Sequence, residues 1–326
     1  MFYEWRRGIP HLQTSWRAVA AQPIIQAGRA KARPLIQTLD LGEIVARGLI
    51  TPAEQIALNE DWIASGLEHV EQAKLLLTNE DPEEVKRGLW MIRHNHHSTT
   101  QHSYCIGQIK WRLGLADPSD DLERAVKLFA LMLHDCRKYG TEIDTYWAHL
   151  VAFVSVLLSG DVPAWVAECQ TDLSSYLHRK KRLLPWEINL GYQSALAIAL
   201  YEGKLPECWP RFITDSTGRS GLKRIHQNIV TYEQLFLAAK NRSWPELVNA
   251  VKDVDSNYKK RGSSEASCAD VFGDGPYNSQ SIDYIAAAIL RTVQKDAHFP
   301  LDQITTPHLW KWGDRDLSQI SPNDVV

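Results

Sequence analysis

The tetrapeptide Asp81-Pro82-Glu83-Glu84 constrains the fold of this chain more than any other feature. Asp81 offers a side-chain acceptor at an N-cap. Pro82 follows at the first helical position, where its missing N–H is no loss, and Glu84 stands where a carboxylate closes a capping box. An apolar stripe then runs through Val85, Leu89 and Ile92 and resumes at Ile106 and Leu113 at heptad spacing. The segment predicts one helix of about 30 residues, ~45 Å long at the standard rise.

The same punctuation recurs downstream. Asp117-Pro118 opens a helix with a stripe of Leu122, Val126, Phe129, Leu133 and Cys136, stopped at Gly140. Thr141 to Gly160 encloses another (Ile143, Trp147, Leu150, Val154 and Leu157 inward), and Asp161 caps the next, carrying Trp165, Cys169, Leu173 and Tyr176. A helix from about Trp186 to Tyr201 ends at Gly203, and Pro206 to Gly221 reads as irregular. A helix ending near Asn241 and one opening at Ser243-Trp244-Pro245-Glu246 are joined by a link short enough to make them antiparallel neighbours. Gly262 to Gln280 reads as a long loop, followed by a last helix over Ser281 to Lys295. No segment alternates with period two, so the predicted fold is all-α: an array of antiparallel helix hairpins. The array is expected over residues 1–297, with a subdivision near 179–185, and residues 298–326 as an irregular tail.

Composition bounds the function. A 44% hydrophobic fraction supplies a core, and a net charge of −3 gives no global attraction to nucleic acid or anionic lipid. Leu150 to Leu158, the most apolar run, is shorter than the ~18 residues a membrane span needs. The first ten residues do not read as a secretory signal. Five scattered cysteines without a C-x-x-C fit buried thiols in a reducing compartment, so a cytoplasmic location is expected.

The densest polar cluster is Arg93 to His102, with four histidines. His94 and His97 satisfy the i,i+3 spacing of ligands on one helix face, but Gln101 stands where an i+4 partner of His97 would be, and there is no H-E-x-x-H. Projected on a helix, Trp90, His97, Tyr104 and Trp111 form a polar-aromatic seam. His96 and Ser103 continue the buried stripe, leaving His94 and His102 as the more exposed pair. His134-Asp135 and Asp144 with His149 are weaker His/carboxylate pairings. The basic run His178 to Arg182 reads as a helix C-terminus, where cations meet exposed carbonyls, ahead of a phosphate-binding patch.

One resemblance stands beside this reading. Phe236 to Leu247 with Tyr258 to Arg261, then Ser281 to Leu290 leading to His298-Phe299-Pro300, resembles the all-helical immunity proteins of bacterial polymorphic toxin systems, most nearly the immunity protein 49 family. It covers residues 225–302. The resemblance implies a non-enzymatic antidote that binds a cognate protein toxin and blocks its active site. It carries over no catalytic residue and assigns no oligomeric state; from the charge, the apolar runs and the histidine spacing no metal, cofactor, nucleic-acid or membrane partner is expected. The expected contact residues are Glu83, Glu84, His94, His97, Gln101, Tyr104, Asp120 and Asp121 on the long helix and its acidic ends, with Asp270 and Asp274 in the loop Asp270 to Pro276. Two other readings remain: a helical adaptor for another protein, and a metal-dependent helical enzyme using His94 and His97.

Overall fold

Asp81 caps the long helix as its sequence requires: its side chain accepts Glu83 N at 2.9 Å, with Pro82 in the first turn. The backbone N–H of Asp81, which a capping box would give to Glu84, goes instead to Asn79 Oδ1 at 3.0 Å. Glu84 turns to Arg87 on its own helix. The helix runs Pro82–Leu113 and ends on Gly114 in the left-handed conformation.

This is a computed structural model, describing residues 52–114, 116–140, 148–159, 165–178, 182–261, 283–318 and 320. Among them are ten α-helices, one short 3-10 turn and no strand. In chain order the helices are α1 (Pro52–Leu76), α2 (Pro82–Leu113), α3 (Ser119–Lys138), α4 (Ala148–Ser159), α5 (Val166–Leu177), α6 (Pro185–Glu202), α7 (Trp209–Ser216), α8 (Lys223–Lys240), α9 (Trp244–Arg261) and α10 (Tyr284–Val293). The chain divides into two compact units, 1–58 with 261–280, and 59–260 with 281–326. The second unit holds the histidine cluster and the helices packed around it.

Two helices have no counterpart in the sequence reading. Helix α1 carries Ile63 and Val70, a heptad apart and both buried, which is the periodic signal that marks it. Helix α7 lies inside the stretch read as irregular. Pro210 sits in its first turn, where proline is tolerated, so it marks the start of a helix there rather than a break.

Helices α1 and α2 run antiparallel. Asn59 meets His102, Gly66 faces Thr99 and Gly88 faces Ala73. A Cβ built on Gly88 would stand 2.9 Å from the Ala73 carbonyl oxygen, so this crossing depends on hydrogen at that position. Helix α3 returns antiparallel to α2, with Gly107 against Leu122 at one end and His96 against Asp135 at the other.

Helix α4 is apolar around its circumference, and Ala148 to Leu158 are all buried. A helix without a polar face has to be surrounded. It contacts α3, α5, α6 and α10. Helix α8 packs on α7 and α10, and Asn257 of α9 bonds Gln227 and Thr231 of α8, the antiparallel pairing predicted from their short link.

Residues 298–318 contain no helix, yet they belong to the core. Ile304, Leu309, Trp310 and Leu317 are buried. Trp111 of α2 donates to Pro307 O at 3.1 Å and meets Trp310 and Trp312 edge-on, with centroids 5.1 and 5.4 Å apart. Arg315 N donates to Leu158 O at 2.7 Å, and Arg291 of α10 donates to Leu157 O at 3.2 Å, so two carbonyls at the C-terminal end of α4 find partners in this segment and α10. No helix of the described residues is long and apolar enough to cross a membrane.

Candidate partner-binding site

Helix α2 places the histidine cluster in two environments. Its C-terminal half is covered by α10 and the 304–312 segment, while its N-terminal half is less enclosed. The predicted seam therefore divides. Trp111 is buried and Tyr104 is 0% exposed, with Tyr284 of α10 6.2 Å from the Tyr104 ring. Tyr104 is thus a core residue and not a contact residue. The covering element comes from about 200 residues further along the chain, beyond the reach of helical periodicity.

Trp90 is 40% exposed and stacks on His94, ring centroids 4.8 Å apart and 7° from parallel. Burial, then the nearby His97 and Arg93, hold His94 down to about 4, so it is neutral at pH 7. Glu83 is exposed, and His97 and Gln101 are half-buried. Glu83, Trp90 and His97 are spaced by seven and share one line along the helix.

His102, expected to be exposed, is buried. It bonds Asn59 at 2.7 Å and stacks on Trp62, and burial holds it down to about 4. The partners are both on α1, the helix missing from the sequence reading. His96 is 0% exposed and bonds Asp135 Oδ2 at 2.9 Å; Lys74 of α1 reaches the same oxygen at 3.1 Å. Burial raises Asp135, but the bonds from His96 and Lys74 outweigh it and hold the carboxyl below the usual range. Asp135 thus faces His96 on another helix rather than its neighbour His134.

The acidic ends are partly consumed within the protein. Asp121 is buried, paired with Lys110 at 2.6 Å and Arg124 at 3.2 Å. Arg124 also donates to both oxygens of Glu60 and to Ser103. Asp121 is therefore a clamp between α2 and α3, not a contact residue. A carboxylate in the first turn of an amphipathic helix points outward or inward according to its phase, and Asp121 precedes the buried Leu122. Asp120 is exposed and meets Arg315 at 2.8 Å. Asp270, Asp274 and Asp144 lie outside the described residues, as do Arg179, Lys180 and Lys181.

No group of three or more His, Cys, Asp or Glu side chains among the described residues is arranged to hold a metal ion. Burial pushes the Cys105 thiol up to about 12 and raises Cys169 as well, so neither is a thiolate at neutral pH. Of the expected contact set Glu83 and Asp120 are exposed, while Glu84, His94, His97 and Gln101 are half-buried; the exposed Trp90 stands on the line of Glu83 and His97. No protein-family model, curated protein or solved structure matches this chain.

Proposed function

We propose that this protein is an antidote that binds a cognate bacterial protein toxin and blocks its active site. The resemblance across residues 225–302 supports the partner class. The Trp90–His94 stack carries the placement of the contact surface. An indole held parallel to a neutral imidazole one turn away is a large contact with little freedom left to lose on binding. Glu83 on the same line adds a charge that orients a basic partner.

The test is calorimetric titration of the full chain with the product of its immediately upstream gene, made catalytically inactive. A tight complex is expected, with Trp90→Ala weakening it by about tenfold or more. A complex indifferent to both Trp90→Ala and Glu83→Lys would move the contact surface elsewhere. Two folded proteins that do not associate would overturn the antidote reading.

A further inference from the structure

The fold gathers arginines that are distant in sequence. Arg182 stands in the link between α5 and α6, Arg211 on α7, and Arg219 just after it. All three converge on the α7 residue Asp215. Arg182 Nε lies 3.7 Å from one carboxylate oxygen and Arg211 Nε 3.6 Å from the other, while Arg219 Nη1 donates to the Asp215 carbonyl at 3.2 Å. The same side chains also hold Leu177 and Leu183. Leu183 N donates to Asp215 at 3.0 Å, Arg219 donates to Leu183 O at 3.0 Å, and Arg211 donates to Leu177 O at 3.1 Å. Arg182 and Arg211 thus flank the carboxylate of one buried aspartate, and Arg219 holds its carbonyl. The Arg182 side chain remains 59% exposed.

The adjoining surface is apolar. Leu184 and Trp186, at the start of α6, are 43% and 47% exposed, and Trp186 is braced edge-on against Tyr176 at 5.7 Å. Arginine and tryptophan held in place by other bonds are the side chains that carry most energy at protein interfaces. From this juxtaposition we propose that Arg182, Leu184, Trp186, Arg211 and Arg219 form a docking surface for an acidic protein segment that also bears an apolar side chain. Among the described residues the three arginines gather about one aspartate rather than along the extended stripe that tracks a phosphate backbone. A carboxylate or two beside a leucine would meet the guanidinium groups and the exposed Trp186–Leu184 step together. The surface is independent of the toxin-binding reading, which places contacts on α2.

The probe is a fluorescein-labelled peptide of alternating Glu and Leu, titrated against the full chain by anisotropy. A lysine–leucine peptide and single-stranded oligouridine serve as controls. Saturable binding of the acidic peptide is expected, weakened by added salt and by about tenfold in Arg182→Glu and in Trp186→Ala. Both substituted side chains are exposed, and unchanged circular dichroism would show that each variant is folded. Binding by the lysine peptide with equal affinity, preferential binding of oligouridine, or no binding of the acidic peptide would each overturn the proposal. So would acidic-peptide affinity unchanged in both folded variants.

Discussion

Replacing Asp135 by alanine tests how α1, α2 and α3 are held together. The substitution takes the acceptor away from His96 Nε2, on a residue that is 0% exposed, and from Lys74. An imidazole nitrogen left desolvated and unpaired costs about 1–3 kcal/mol. The lysine end costs less, because Lys74 is 24% exposed and keeps Glu71 at 2.8 Å; a pair of that kind contributes about 0–1 kcal/mol. The sum is about 1–4 kcal/mol. At about 2–4 °C per kcal/mol for a large domain, the melting temperature falls by several degrees.

Urea denaturation followed by circular dichroism at neutral pH measures this, read with the slope held constant. The double variant His96→Leu/Asp135→Leu recovers part of the loss, since removing both partners leaves no orphaned group. Acid supplies an independent check. The folded carboxyl is held below its ordinary 3.8, so its contribution is complete above that value and is lost as pH falls through the lower folded value. Asp135→Ala therefore has a shallower decline at the acid end than the natural chain. A variant within about 0.5 kcal/mol of the natural chain, with the same acid profile, would refute the assignment of this cluster as a clamp.

Other outcomes rest on the same structure. Burial holds His102 down to about 4 and His149 down to about 3, so unfolding exposes groups that bind protons more readily. Stability is full above the ordinary histidine value of 6.5 and declines as pH falls toward those folded values; His149→Leu flattens that decline in a pH series of urea midpoints. Gly88→Ala gains helix propensity of about 1 kcal/mol but forces α1 and α2 apart against a backbone carbonyl, an overpacking cost of about 1–3 kcal/mol, so calorimetry records a net loss. Trp310→Ala, in the segment that covers Trp111, lowers stability by about 3–5 kcal/mol by urea titration, whereas removal of a solvated tail would leave it unchanged.

Helices with a local signature were legible. Asp81-Pro82 fixed the start of α2, Gly203 the end of α6, and the short link between α8 and α9 their antiparallel pairing, because capping and loop length act within a few residues. The histidine cluster was legible only in part. The stripe placed His96 in the core, since burial phase is a property of the helix itself. It could not place His102 or Tyr104, which α1 and α10 cover, or Asp121, which turns to Lys110 of α2. Helical projection gives the direction in which a side chain points, and only the tertiary fold decides what stands there.

The acidic ends of α2 show why this matters for function. Glu83, Glu84, Asp120 and Asp121 read alike in sequence, as carboxylates in the first turns of two helices. In the fold Asp121 holds Lys110 and Arg124, Asp120 meets Arg315 and Glu84 meets Arg87. Reversing the charge at Asp121 would place a cation between two half-buried cations and disrupt the bundle before it informed on any partner. Glu83 meets Lys86 at 4.0 Å with both side chains exposed, a pair whose loss costs little. Of the four carboxylates, Glu83 is the one whose reversal leaves the fold intact and so tests the proposed contact surface, and it lies on the same helical line as Trp90.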